Sequence, residues 1–367
     1  MKLSFQSDSF VILQIADTQD GAKISPDTLD LMDAAIERTK PDLVVFSGDQ
    51  IWGKQNFRGS REKVEKALRA LLAPVLSRNI PFTVCFGNHD RQVGLSNDEQ
   101  LKIYQSFPNC VAEDTPGIDG TANHCIEICD GEKPVFLLYL LDSHTGLKTG
   151  GYDCVHQNQI DWYKKVRDGY EKQCGHVLPS VVIQHIPLCE VFALLQEVKK
   201  STKGAVQGFR THAGRWYVLR RDRVNMEGFM RESPADPQEN SGEFAAFKEK
   251  GDVLGVYFGH DHNNSFNGKV DGIDLGYTQG AGFNVYGPGL DRGVRVFKID
   301  KKDPAAYVTY DLRFRDLVGK KVRQPVKYAF YQLMPTNVHD ALARAAKFFG
   351  AVAVLAIVIL LLVLFFG

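Results

Sequence analysis

The chain has 367 residues, 44% of them apolar, and its 44 Lys and Arg balance 44 Asp and Glu, so it can bury a large core. With no net charge, nothing global points to nucleic acid or to a membrane surface as a partner. Seven cysteines without a C-x-x-C pair make neither a zinc-site pattern nor an even disulfide set, and read as free or buried thiols in a reducing compartment.

In chain order, Lys2, Ser4, Gln6, Ser7 and Asp8 give the amino terminus no secretory-signal pattern. The apolar run 10–16 reads as a strand buried on both faces, and it stops at Asp17. Ser25 and Pro26 predict a helix start, with Leu29, Met32 and Ile36 on its apolar face and Pro41 closing it. The run 42–48 stops at Asp49, and an amphipathic helix over 60–77 turns Val64, Leu68, Leu71 and Leu72 inward. The run 81–86 ends in Gly87, Asn88, His89 and Asp90, polar groups that are costly to hold beside an apolar core unless something there binds them. A helix over 97–107 follows, and residues 108–133, rich in Gly, Pro, Asp and Asn, read as a long surface excursion.

Residues 134–141 are another buried strand, ending at Asp142, Ser143 and His144, and a helix over 156–170 carries Ile160, Trp162, Tyr163 and Val166. The run 180–184 stops at His185, and 253–259 at His260, Asp261 and His262. Between them, 199–223 is a basic insertion with eight Lys and Arg against Asp222. It reads either as a solvated loop or as a patch meeting anionic substrate or lipid headgroups at the site rim. Short strands run on to Tyr310, residues 313–334 form a basic, aromatic tail, and Thr336 with Asn337 caps a last helix. Residues 348–367 carry no charged or polar side chain, close to the ~20 residues that cross ~30 Å of hydrocarbon. Arg344 and Lys347 just before that stretch place the folded part on the cytoplasmic side, as in a single-pass C-terminal anchor.

Five apolar runs thus stop at residues whose side chains bind hard or borderline divalent cations: Asp oxygen, Asn oxygen and His nitrogen. In open α/β sheets, sites form beyond the carboxyl ends of the strands, so the five ends can converge. The other histidines (His124, His156, His176, His212 and His339) read as structural or solvated, and His144, which also follows a strand, stays open.

The signatures Asp17-Thr18-Gln19, Gly48-Asp49, Gly87-Asn88-His89-Asp90, His185 and Gly259-His260-Asp261-His262 occur in the order seen in calcineurin-like metallophosphoesterases. From about residue 10 to 312 the chain resembles that superfamily. Gly48-Asp49-Gln50-Ile51, Gln184-His185-Ile186-Pro187, Asn240-Ser241-Gly242 and Gly259-His260-Asp261-His262-Asn263 resemble its non-purple branch of purple-acid-phosphatase-related proteins. The resemblance implies an α/β fold, a four-layer α/β/β/α sandwich of two mixed sheets flanked by helices, over residues 1–312. A basic juxtamembrane segment (313–347) and a transmembrane helix (348–367) would follow.

The same resemblance implies two divalent metal ions (Mn, Mg, Zn or Fe). By the family pattern Asp17 and His262 hold the first, Asp49 bridges both, and Asn88, His185 and His260 hold the second. A hydroxide between the metals attacks phosphorus, His89 assists the leaving group, and Asp90 orients a neighbouring imidazole. Two departures matter. Gln19 stands where the family usually has histidine, and its amide oxygen suits Mg or Mn better than Zn or Fe. Trp52 stands where purple acid phosphatases have a tyrosine ligand, so no purple colour is expected.

The expected function is therefore a membrane-tethered phosphoesterase hydrolysing phosphomonoesters, its substrate a small molecule or a phosphoprotein, with no nucleic-acid partner. The alternatives are a phosphodiesterase acting on nucleotides or lipid headgroups, and a phosphate-binding module whose catalysis is weakened by Gln19.

Overall fold

Strands that are apolar on both faces need cover on both, and the chain provides it by stacking two sheets face to face with helices on their outer sides. The computed structural model describes residues 1–53, 57–225, 227–336 and 338–366, with the backbone alone at 338, 339, 343, 355 and 360–366.

The first half runs β1 (Lys2–Ser4), β2 (Ser9–Ile15), α1 (Pro26–Thr39), β3 (Leu43–Ser47), α2 (Arg61–Leu76), β4 (Phe82–Cys85), α3 (Asn97–Tyr104), β5 (His124–Asp130), β6 (Lys133–Leu140) and α4 (Gln157–Cys174). It continues through β7 (Ser180–Ile183), β8 (Leu195–Val198), β9 (Val206–Gln207), β10 (Trp216–Leu219), β11 (Phe229–Met230), α5 (Glu243–Lys250), β12 (Val253–Phe258), β13 (Asn264–Val270) and β14 (Ile273–Tyr277). The last elements are β15 (Gly293–Asp300), β16 (Val308–Arg313), α6 (Phe314–Leu317), α7 (Pro325–Gln332) and α8 (Val338–Phe366).

One mixed sheet of five strands has the order β16-β15-β2-β3-β4, with β2, β3 and β4 parallel. The other has eight, β1-β5-β6-β7-β12-β14-β13-β11, with β6, β7, β12 and β14 parallel. The period of two along β2 shows how both faces are used. Phe10 and Ile12 point between the sheets against Ile126, Phe136 and Leu138, while Leu13 and Ile15 point outward against Leu31, Leu68 and Leu71 of α1 and α2. On the far side α4 and α5 cover the larger sheet through Ile160, Tyr163, Phe244 and Phe247. This is the four-layer sandwich.

The helix starts follow their chemistry. Pro26 is the first residue of α1, the Ser60 hydroxyl accepts from Lys63 N–H ahead of α2, and Ser96 with Glu99 forms a capping box on α3.

Two expectations change. Residues 108–133 are not one surface excursion, because 124–130 form β5, which pairs with β1 in parallel and with β6 antiparallel. Its alternating Ile126 and Ile128 enter the core between the sheets, a pattern masked by the polar residues around it. The basic insertion is not a bare loop either: β8, β10 and β9 make a small antiparallel sheet around it.

The tail after β16 is tied to the body. Phe314 is fully buried beside Phe283, and Asp27 of α1 accepts hydrogen bonds from Arg323 N–H (2.6 Å) and Gln324 N–H (3.3 Å). In α8, residues 340–359 have a mean hydropathy of 2.0 and no buried share, so this helix is long and apolar enough to cross a membrane. Asn337, half of the expected cap, and the side chain of His339 lie outside the described residues.

Candidate metal centre

Because β2, β3 and β4 run parallel and so do β7 and β12, their carboxyl ends deliver side chains to one edge of the sandwich. Asp17, Asp49 and Asn88 arrive from the five-stranded sheet, and His185, His260 and His262 from the eight-stranded one. All six are buried.

The backbone there is unusual. Asp17, Gln19, Asp49 and His260 all have positive φ, at 52°, 36°, 54° and 71°. Such strain in non-glycine residues collects at functional sites. The motif glycines make room for ligands of other motifs. A Cβ on Gly48 would stand 2.3 Å from His185 Nδ1, and one on Gly259 would stand 2.5 Å from Asp17 Oδ2.

Hydrogen bonds aim the rings. His185 Nδ1 faces the Ser47 carbonyl at 2.9 Å and His262 Nδ1 the Tyr286 carbonyl at 3.0 Å. A carbonyl only accepts, so each Nδ1 carries a proton, and each Nε2 is the nitrogen turned toward the carboxylates. His185 Nε2 stands 3.3 Å from Asp49 Oδ2 and 3.9 Å from Asp17 Oδ1, and His262 Nε2 stands 3.4 Å from Asp17 Oδ1. His260 brings Nδ1 to 3.3 Å from His185 Nε2, while its backbone N–H donates to Asp17 Oδ2 at 3.0 Å. Two donor groups result, Asp49 with His185 and His260, and Asp17 with Asp49 and His262, sharing Asp49.

Electrostatics describe the same centre. Burial works against a charged His185, but the Asp49 and Asp17 carboxylates together with the Ser47 carbonyl outweigh it and raise the ring to about 10. Burial would likewise raise Asp49, yet the His185 and His89 rings hold it well below the usual carboxylate range. Burial, then repulsion from His185, drives His260 far down and keeps it neutral. Asp17 Oδ1, Asn88 Oδ1 and His260 Nε2 are buried without a hydrogen-bond partner among the described residues. Carboxylate, amide and imidazole donors left bare in this way fit divalent cations.

The remaining sequence candidates fall as follows. Gln19 directs its amide nitrogen to Asp49 Oδ2 at 2.7 Å, so its oxygen is turned away from that carboxylate. His89 lies at the mouth, its ring half-buried and edge-on to Trp52, while its backbone N–H donates to Asp49 Oδ1 at 2.7 Å. Asp90 differs from expectation. Its carboxylate accepts from four backbone N–H groups, those of Gly87 (2.8 Å), Asp49 (2.8 Å), Gln50 (2.8 Å) and Ile51 (3.4 Å). It grips chain rather than an imidazole.

Several residues at the site carried no sequence signal. Tyr152 stands edge-on to His260 (4.4 Å) and Tyr286 stacks on His262 (4.3 Å). Glu232 is buried, accepts from Asn263 N–H and is driven upward by burial and then by Asp261. Asp261, inside a motif that was read, braces the Ala235 N–H and the Tyr277 hydroxyl.

The other histidines are mostly structural. His124 is fully buried, and His212 stacks on Phe192. His144 and His156 form a half-exposed trio with Asp153, their rings stacked at 4.1 Å, and each ring already has a partner: His144 Nε2 meets Gln159 Oε1 at 2.8 Å and His156 Nδ1 meets Asp119 Oδ2 at 2.7 Å.

A four-layer sandwich with such an edge centre defines a metallophosphoesterase fold, and the chain belongs to the calcineurin-like phosphoesterase family, whose model matches residues 10–264. It is 31% identical over 337 residues to "Probable inactive purple acid phosphatase 14" of Arabidopsis thaliana, covering 80% of this chain and 76% of that one. To "Phosphatase DCR2" of Saccharomyces cerevisiae it is 28% identical over 299 residues, covering 77% and 47%. Among solved structures, a dimetal phosphatase from Danio rerio shares the fold with a TM-score of 0.50 at 14% identity, covering 83% of this chain and 98% of that one.

Proposed function

We propose that the chain hydrolyses phosphomonoesters with the help of two divalent cations held between its sheets. The bare buried donors Asp17 Oδ1, Asn88 Oδ1 and His260 Nε2 carry this reading. Each unsatisfied buried polar atom costs about 1–3 kcal/mol, and a cation removes that cost. Asp17, Gln19 and His262 would hold one cation, Asn88, His185 and His260 the other, and Asp49 both. For Gln19 this needs a half-turn of the amide that exchanges its oxygen and nitrogen. When bound, the cations supply Lewis acidity to the phosphoryl oxygens and lower the pKa of the attacking water. His89, at the mouth, gives a proton to the leaving oxygen. Asp90 holds Asp49 and Gly87 in register. With an amide donor at Gln19, Mn or Mg is favoured over Zn or Fe.

Residues 1–312 are read as the catalytic body, 313–347 as a basic neck and 348–367 as a single membrane anchor. Arg344 and Lys347 favour the cytoplasmic face for the flank that carries them.

A second reading, a phosphate-binding module with little turnover, is favoured by the amide that Gln19 turns toward Asp49 and by the word "inactive" in the names of three relatives. Phosphate release from mono- and diester panels with Mn, Mg and Zn separates the two. Monoester turnover that disappears in Asp49→Ala supports the hydrolase. Tight binding of inorganic phosphate without turnover of any ester supports the module.

A further inference from the structure

The metal-ligand cleft, a space of about 100 Å³, adjoins a larger outer cavity of about 380 Å³. Glu232, Ser233, Tyr286 and Thr336 line both. The outer cavity is walled by two parts of the chain that are far apart in sequence. One is the small basic sheet, through Val206, Gln207 and Trp216, and the other is the first turns of α8, through Asp340, Arg344 and Lys347. The grip of Asp27 on Arg323 and Gln324 ties the neck, and with it the base of α8, to the body.

The helix itself sets the depth of this opening. The charge-free stretch begins at Phe348, so Lys347 touches it and Arg344 precedes it by four residues, roughly 6 Å at 1.5 Å per residue. The headgroup layer on each side of a bilayer is about 5–8 Å thick, half the difference between the ~40–45 Å membrane and its ~30 Å core. With α8 across a membrane, the outer cavity therefore opens at headgroup level.

The sheet beside it carries matching charge. Lys199, Lys200, Lys203, Arg215, Arg221 and Arg223 are exposed, and Lys200 lies over the Trp216 ring at 5.4 Å. Cations next to an aromatic ring suit an anionic interface. A phosphate ester dissolved in water needs neither a mouth at this depth nor this surface. A lipid needs both, since its acyl chains stay in the bilayer along α8 while its phosphate reaches inward.

We propose that the substrate is a membrane lipid with a phosphomonoester headgroup, admitted to the metal cleft between the basic sheet and the base of α8. This rests on the phosphomonoesterase reading above and names its substrate class.

The test uses the full chain reconstituted with Mn into phosphatidylcholine vesicles. Phosphate release is compared for phosphatidic acid or a phosphatidylinositol monophosphate in the same bilayer, and for a soluble aryl phosphate and a phosphopeptide outside it. The expected result is at least a tenfold preference for a lipid phosphate. Combined Lys199→Glu, Lys203→Glu and Lys347→Glu should lower the lipid-to-soluble ratio about tenfold. All three side chains are exposed, and matching thermal melts confirm that the variant folds. A ratio near one that the charge reversal does not move, or preferred turnover of the phosphopeptide, overturns the proposal and leaves the phosphomonoesterase standing. Absence of turnover on every ester overturns both.

Discussion

Asp90 Oδ2 accepts the backbone N–H of Asp49 at 2.8 Å, although the two residues are 41 apart in sequence and both are buried acids. The same carboxylate takes the N–H groups of Gly87, Gln50 and Ile51, so one side chain clamps the loop after β3 to the loop after β4. Asp49 sits there at φ 54°, a left-handed backbone uncommon for a residue other than glycine.

Replacing Asp90 by Asn keeps the shape but sets an NH2 group against a backbone N–H. Asp90→Asn is expected to lose about 1–3 kcal/mol of stability by that mismatch. Turnover should fall roughly tenfold or more as Asp49 shifts, since misplacement of about 1 Å can cost that much or more. Urea melts and phosphate-release rates on one preparation check both.

Asp49 and His89 should fail differently. Asp49→Ala is expected to lose bound metal and turnover together, because both donor groups share that carboxylate. His89→Ala should keep its metal and lose about 10²–10⁴ in kcat, the usual worth of a positioned proton donor. Metal content and kcat, measured side by side, distinguish them.

Gln19→His restores the ring usual in the family. Histidine tolerates positive φ better than most residues, so the strained position at 36° should accept it. The expected outcome is a shift of bound metal from Mn or Mg toward Zn or Fe, read by elemental analysis after expression in mixed-metal medium.

His124 supplies a pH dependence away from the centre. Its Nδ1 faces the Ala122 carbonyl at 2.8 Å and therefore carries the proton, so Nε2 accepts from the Thr83 hydroxyl at 2.7 Å. Burial lowers its pKa from 6.5 to about 4. Between those values the unfolded chain binds a proton that the folded chain does not. Stability is full above pH 6.5 and is lost as pH falls toward 4, by roughly 3 kcal/mol. His124→Asn should lack this part of the acid loss when urea stability is compared at pH 7 and pH 4.5.

Much of the architecture was legible because strands buried on both faces are nearly continuous apolar runs, and because each stops where a polar ligand begins. The helices over 26–39 and 61–76 were marked by their caps and inward faces. The edge strand β1 was hidden, because a three-residue segment gains its strand character from a parallel pairing with β5 more than 120 residues away, which no local pattern encodes; β5 itself was masked by polar flanks although it forms a close antiparallel hairpin with β6. The histidines and aspartates of the centre could be named from strand ends, whereas Tyr152, Tyr286 and Glu232 arrive on loops whose course tertiary packing decides. Asp90 was noticed for the right reason, a carboxylate beside an apolar core, but its partners are main-chain groups that carry no letter in the sequence.

The division of the donors between two sheets has a consequence for biogenesis. Neither half of the sandwich, folded alone, offers both donor groups, so the cations proposed for the centre could enter only after the two halves have closed on one another. Under the proposed reading, uptake would then mark the end of maturation, and a chain stalled earlier would emerge empty even in a metal-rich compartment.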